Sequence, residues 1–277
     1  VGEKPTAPSE EVKPDRPVAE NNPTEEAPVS PQLKHEAQGD SITITGCDEK
    51  ASGALTIPPT IKGKPVTSIG IGAFLNCNAL TSITIPDSVT SIGGNAFYDC
   101  SSLTSVTIPD SVISIGGHAF SFCTNLRSIT IGNGVTSIGD YSFTPCSSLT
   151  IIKVGAENLN YTDVNGVLFN KEKTVLHTYP AGKTGASYTI PDSVTIIKEQ
   201  AFYECTSLKS IAIGNGVTFI GRHAFLGCRS LNNVTFQGAA PKVNFGAFSD
   251  VADRISAYVD EQFAASFGGS GSTWKGM

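Results

Sequence analysis

The sequence predicts an α/β repeat protein, a solenoid of about nine rungs with a 23-residue period, and three observations predict it. The first is a motif, A-F-x-x-C-x-x-L-x-x-I-x-I-P, whose Phe falls at Phe74, Phe97, Phe120, Phe143, Phe202, Phe225 and Phe248, at spacings of 23, 23, 23, 59, 23 and 23. The second is a column of strand-ending apolar residues at Ile57, Ile85, Ile108, Ile131, Val154, Ile190, Ile213, Phe236 and Val259, spaced 28, 23, 23, 23, 36, 23, 23 and 23. The interval of 59 therefore hides no missing coil; one coil is 36 residues long. The third is a change of apolar period inside each unit, from helical to alternating.

The unit from Val89 to Val112 illustrates this change. Val89 and Ile92 bracket a short extended piece that ends at Gly93. Ala96, Phe97, Cys100 and Leu103 then follow helical spacing, which predicts a short helical segment with one buried face. Val106 and Ile108 are two apart, the alternation of a half-buried strand. Pro109-Asp110-Ser111 predicts a turn, replaced by Gly132-Asn133-Gly134 or Gly214-Asn215-Gly216 in other units.

A single coil leaves both flat sides open and cannot fold alone. Stacking covers them, and each fully buried Ile, Leu, Val or Phe then contributes ~1.5–3 kcal/mol. Such an array needs caps. Ser41-Ile42-Thr43-Ile44-Thr45 reads as a first strand ahead of the Leu55-Thr56-Ile57 rung. At the other end Val251 replaces the Cys, Arg254 replaces the Leu, and Ile255–Val259 remains strand-like. Phe263, Phe267 and Trp274 are available to cover the open side. In the 36-residue coil, Asn165-Gly166 between Tyr161–Val164 and Val167–Phe169 is a hairpin signal, and a second turn at Asn170–Lys173 precedes Val175–Tyr179. A β-hairpin is expected in place of the helix, bulging from one side.

Residues 1–40 differ in kind. They hold seven prolines, no Cys, no aromatic residue, nine acids and four bases, so they are expected to form a disordered Pro/Glu-rich linker or stalk, with the folded domain spanning 41–277. The folded part is close to neutral, with sixteen acids against fifteen bases, and has no basic stripe of the kind nucleic acid requires. No apolar run is long enough for a transmembrane helix.

The candidate reactive residues all have plain structural readings. Cys77, Cys100, Cys123, Cys146, Cys205 and Cys228 form a column inside the stack. Small buried thiols facing backbone carbonyls fit it best; inter-rung disulfides would be strained, and no paired CxxC spacing supports a metal. Cys47 falls outside this column. His118 and His223 share a slot with Asn95, Tyr141 and Gln200, which marks a solvated face rather than a catalytic base. Asp87, Asp110 and Asp192 recur after the strand. A calcium ladder would need more oxygens per ion, so they read as turn residues. No catalytic set, metal site or cofactor site is expected. The outward strand positions are the candidate binding surface: a field of hydroxyls that includes Thr84, Thr107 and Thr130, with Arg127, Lys153 and Lys209 near its middle. The same Ser and Thr residues also suit a solvated sheet for reasons of β-propensity.

The units "SIGGNAFYDCSSLTSVTIPDSVTSIG" and "NGVLFNKEKTVLHTYP" resemble the BspA-like class of leucine-rich repeats across residues 41–277. That resemblance implies a right-handed leucine-rich-repeat solenoid with a strand-lined face. It also implies a secreted or cell-surface protein of a bacterium or mucosal parasite, adhering to other cells or to a protein ligand such as a host matrix protein or glycoprotein. It carries no catalytic residues, so a non-enzymatic monomer is expected. A structural or self-associating surface module is the alternative, and an ice-binding array is disfavoured because Ile151, Lys153 and Ala212 interrupt the hydroxyl columns.

Overall fold

The computed structural model describes residues 1–2, 32–48, 50–253 and 255–268. Two columns of short strands run through it. One face of the coils carries nine strands among the described residues: β3 (Ser52–Thr56), β6 (Ala79–Thr84), β8 (Ser105–Thr107), β10 (Ser128–Ile131), β12 (Ile151–Val154), β16 (Ser187–Thr189), β18 (Ser210–Ile213), β20 (Asn233–Phe236) and β22 (Ser256–Val259). They coincide with the rungs read from the sequence. A second column holds β5 (Lys64–Ile69), β7 (Ser91–Ile92), β9 (Ser114–Ile115), β11 (Ser137–Ile138), β17 (Ile196–Ile197), β19 (Phe219–Ile220) and β21 (Lys242–Val243). Pairing within each column is parallel, in 23-residue register beyond the first rung: Ser105 lies beside Ser128, and Ile115 beside Ile138, while Leu55 pairs with Ile83 across the longer first coil.

The interior is the stack that the repeat requires. Phe74, Phe97 and Phe120 lie ring over ring at 4.9 and 5.0 Å, and Phe143 follows at 6.0 Å. These spacings match the ~4.8 Å rise of a parallel ladder. A second run comprises Tyr179, Phe202, Phe225 and Phe248, at 4.9, 4.8 and 4.8 Å. Tyr179 thus fills the Phe slot of the long coil, a substitution that the repeated motif does not reveal.

The expected short helices are absent from the coils. Ala96 to Leu103 is a chain of turns, and the one helix among the described residues is a 3-10 segment, Glu261–Phe267. The hydrogen bonds give the reason. Ala96, Tyr98 and Cys100 donate three residues back, to Gly93, Asn95 and Phe97, while Asn95, Phe97 and Asp99 donate to Gly117, Ala119 and Ser121 of the next coil. An α-helix would turn every N–H along its own axis rather than sideways, and leave none aimed at the next coil on this side. Alternation demands left-handed residues, and the slot two before the Phe supplies them: Gly72, Asn95, His118, Tyr141, Gln200, His223 and Gly246 all have φ between 54° and 68°. Non-glycine residues are uncommon there, at a cost of about 1–2 kcal/mol each, offset by the inter-coil bonds that the conformation allows.

The N-terminal cap begins earlier than expected. Leu33–Gln38, inside the span read as stalk, forms β1 and pairs antiparallel with β2 (Ser41–Cys47), which in turn pairs with β5. Lys34, His35 and Glu36 on this outer strand discourage further pairing at the edge. A two-residue strand, β4 (Thr60–Ile61), completes the cap against β5. At the other end Phe267 is buried at 5.0 Å from Phe236, and Phe263 packs on the same core. Residues 3–31, Arg254 and Trp274 lie outside the described residues.

The long coil holds the predicted hairpin. β13 (Tyr161–Val164) pairs antiparallel with β14 (Val167–Asn170), and Asn165 and Gly166 between them have φ of 52° and 79°. β14 then pairs with β15 (Val175–Thr178), which joins β17 in parallel. The hairpin does not bulge outward as expected. Val167, Leu168 and Phe169 are all fully buried, Leu168 in the core of the first coils and its two neighbours in the core of the last. It is a partition between two stacks.

The partition also closes strand edges. Ile152 N–H donates to Gly166 O at 3.0 Å, and Ile138 N–H to the Tyr161 hydroxyl at 3.1 Å. The Asp163 carboxylate accepts from Val154 N–H at 2.9 Å and from Gly166 N–H at 3.3 Å. Asp163→Ala should therefore cost about 1–3 kcal/mol in urea unfolding, because both donors lose a charged acceptor. A loss no larger than that of an exposed surface substitution would show that water replaces the carboxylate.

Candidate functional site

The strand face is built by alternation. Ile83, Val106, Ile129 and Ile152 turn inward and are buried, so Thr84, Thr107, Thr130 and Lys153 turn outward. Thr107, Thr130 and Lys153 share one register row. Arg127 is exposed just before β10, tied between Thr104 O and Thr150 N–H. Lys209 is exposed just before β18, in a different sheet from the other five candidates. Neither Arg127, Lys153 nor Lys209 takes part in the two ion pairs found among the described residues, Lys198–Asp140 at 3.0 Å and Arg229–Asp250 at 2.9 Å.

The face is not the single field expected from the sequence. It is three parallel sheets: β3–β6, β8–β10–β12 and β16–β18–β20–β22. The second break is where the long coil enters. Lys183 there reaches the carbonyl of Asn165 on the hairpin turn at 2.7 Å. The first break, between β6 and β8, has no insertion to explain it. A shallow depression of about 370 Å³ lies there, rimmed by Ser82, Thr84, Asp87, Ser105 and Thr107. Of the candidate residues, Thr84 and Thr107 are thus brought to opposite walls of one site, while Lys153 borders the other break and Lys209 lies one strand beyond it.

The turn aspartates do more than make local turns. Asp110 accepts from Asn133 N–H at 2.6 Å and Nδ2 at 3.1 Å, and Asp192 accepts from Asn215 N–H at 3.1 Å. Each clamps the following coil, which carries Asn at that position. Asp87 is followed by Asp110 and receives no such bond.

The cysteines behave as small buried donors. Cys100, Cys123, Cys146 and Cys228 each point a thiol at the carbonyl of the preceding coil's Phe, at 2.9–3.1 Å. No cysteine is in a disulfide. Burial pushes the thiols of Cys100, Cys123 and Cys146 up, the last to about 12, which leaves them without reactive thiolate. Cys47 is buried at the head of the column, and a hydrogen bond from Cys77 lowers its pKa. His118 lies on the exposed turn edge, its ring 4.9 Å from that of Tyr141. Among the described residues no group of three or more His, Cys, Asp or Glu side chains could hold a metal ion, and no helix is long and apolar enough to cross a membrane.

The class this geometry defines is a leucine-rich-repeat solenoid with an exposed, hydroxyl-rich strand face. The model of the BspA type leucine rich repeat region matches six copies over residues 58–175 and 182–264, and the chain belongs to that family. Among solved structures, the pneumococcal vaccine antigen PcpA is similar at 20% identity and a TM-score of 0.50, over 84% of this chain and 77% of that one. A T. pallidum leucine-rich repeat protein is similar at 26% identity and a TM-score of 0.49, over 83% and 92%. A leucine-rich repeat protein from Bacteroides capillosus matches at 33% identity and a TM-score of 0.42, over 48% of this chain and all of that one (100%). No curated protein sequence gives a significant match.

Proposed function

We propose that this chain is a non-enzymatic adhesion module, secreted or held at a cell surface, that binds a protein partner through its strand face. Host extracellular proteins and the surfaces of other cells are the partners in view, with the acidic, proline-rich segment before the solenoid acting as a spacer. The observation that carries the reading is the set of exposed cations on that face, Arg127, Lys153 and Lys209, none of which forms an ion pair among the described residues. The core beneath the face is filled by buried apolar side chains, and what the face offers a partner is exposed hydroxyls and cations. A face of parallel strands with sparse cations suits an extended, acidic partner surface.

Membership of the BspA-type family supports an exported location. The test is capture from a panel of immobilised extracellular matrix proteins. Reversing the charge at all three positions (R127E, K153E, K209E) should weaken capture by at least about tenfold, with most of the loss in association rate and in salt dependence. Capture by none of the panel, together with concentration-dependent oligomers in sedimentation, would favour self-association instead.

A further inference from the structure

The break between β6 and β8 coincides with a departure from the turn pattern in the sequence. Standard coils turn either with Ile-Pro-Asp-Ser or with Ile-Gly-Asn-Gly, and a proline coil is followed by a glycine coil except once. Ile108-Pro109-Asp110-Ser111 follows Ile85-Pro86-Asp87-Ser88 at the regular spacing of 23. The glycine matters: a Cβ added at Gly132 would come within 2.5 Å of the carbonyl carbon and oxygen of Pro109. Backbones approach that closely only when the upper coil carries no side chain there. Pro109 over Pro86 cannot make that approach and has no N–H to donate, and here the two strands do not pair. The 28-residue first coil also carries proline, but its extra length lets it close, with Ile57 N–H on Thr84 O at 3.0 Å.

The opening alters the hydrogen-bonding surface. Ile108 N–H donates to Thr130 O at 2.8 Å and Ile190 N–H to Ala212 O at 2.9 Å, but Ile85 N–H and Thr107 O, the corresponding pair, are not joined. One backbone donor and one backbone acceptor therefore border the depression. Around them stand the hydroxyls of Ser82, Thr84, Ser105 and Thr107 and the carboxylate of Asp87, to which the next coil gives no clamp.

We infer that this depression is a saccharide subsite that takes one neutral pyranose unit of a glycan. The site needs a ligand whose groups both donate and accept within a small footprint, and adjacent sugar hydroxyls do both. Asp87 adds an acceptor for a further hydroxyl. Two alternatives fit less well. A lysine or arginine side chain would satisfy Asp87 but offers nothing to Ile85 N–H. An extended peptide would need strands about 9.6 Å apart, two ladder spacings, whereas β6 and β8 keep Cα atoms within 8 Å of each other. The rim has no aromatic side chain to anchor a protein hot spot. The inference rests on the strand face being the binding surface, and it makes a glycan of the partner part of what is recognised.

The experiment is saturation-transfer NMR of the whole chain with the methyl pyranosides of glucose, galactose, mannose, fucose and N-acetylglucosamine at millimolar concentration. Affinities of any binder are then measured for four variants. At least one pyranoside should bind saturably. Asp87→Ala and Thr107→Val should each weaken it by about tenfold or more. Pro109→Gly should weaken it similarly by letting the ladder close, with no loss of fold by circular dichroism. Asp192→Ala, which alters the equivalent turn of a closed ladder, should leave it unchanged. Binding by no pyranoside, equal binding by all variants, or competition by an arginine-rich peptide would each overturn the subsite. Because the charge-reversal variant tests protein capture separately, capture without sugar binding sinks the subsite alone.

Discussion

Phe120→Ala should lower the stability of the solenoid by about 3–5 kcal/mol, and Phe248→Ala by clearly less. Phe120 is fully buried, its ring 5.0 Å from Phe97 on one side and 6.0 Å from Phe143 on the other. Truncating it removes two ring contacts and leaves a cavity, and the backbone bonds between coils limit how far the stack can close over it. Phe97 donates to Ala119 O at 2.7 Å, and Phe120 itself to Ser142 O at 2.8 Å. Phe248, near the C-terminal end, is 8% exposed and has one ring neighbour in the stack, Phe225 at 4.8 Å. In an array where stability is a sum over nearest-neighbour interfaces, an interior loss weakens two interfaces and a terminal loss one. A loss of this size is a large share of the roughly 5–15 kcal/mol that holds a domain together.

Hydrogen exchange locates the damage. The hairpin of the long coil separates two core clusters, so amides from Phe97 to Cys146 should lose protection in Phe120→Ala while those from Phe202 to Phe236 keep theirs. Equal costs for the two substitutions, or uniform loss of protection along the chain, would mean that the coils do not behave as a one-dimensional stack.

What was legible in the sequence was whatever repeats. The nine strand-ending residues, the Phe stack, the inward thiols and the Asn165-Gly166 turn all follow from spacing and from turn chemistry. The coil's turn side was misread because i, i+4 and i+7 apolar spacing is shared by a helix and by a run of turns of similar pitch. The distinguishing sign lay in the slot two before the Phe. Gly72 and Gly246 occupy it at the ends of the repeat, and that marks a left-handed position; the polar residues between them concealed it. Leu33–Gln38 was read as stalk because its composition is polar, yet an edge strand at a cap is polar by necessity.

The binding face was legible residue by residue but not as a surface. Alternation alone places Thr84, Thr107, Thr130 and Lys153 outward. It does not say that the ladder breaks between Thr84 and Thr107. That break coincides with one proline turn stacked over another at the regular spacing of 23, a relation that only the stacked backbone makes physical. Tyr179 escaped for a similar reason. It stands in the Phe column only because the hairpin takes up the extra residues before it.

Acid should weaken the junction between the two stacks, and His177 should account for much of it. His177 is buried, its Nδ1 2.9 Å from the Thr178 hydroxyl and its Nε2 3.4 Å from the Lys198 ammonium. Around this group stand Lys198, Asp140 bonded to Lys198 at 3.0 Å, and the ring of Tyr161, edge-on at 6.1 Å. Tyr141 and Glu199, joined at 2.7 Å, extend the same seam on the solvent side. Burial, and then the charge of Lys198, push the His177 pKa down to about 3 from its ordinary 6.5. The folded state therefore holds the neutral ring, and the unfolded chain binds the proton more readily. The stabilisation is fully present above pH 6.5 and is lost progressively as pH falls toward 3. Complete loss amounts to roughly 4–5 kcal/mol, at 1.36 kcal/mol per pKa unit. His177→Gln removes the titrating group and keeps a polar side chain beside Thr178. The difference in unfolding free energy between pH 7 and pH 4 should therefore be smaller in the variant by about 3 kcal/mol. Lys198→Met should also narrow that difference, because removing the neighbouring charge lets the His177 pKa rise. If wild type and His177→Gln lose stability in parallel across this range, the buried imidazole is a spectator and the seam's acid sensitivity has another source.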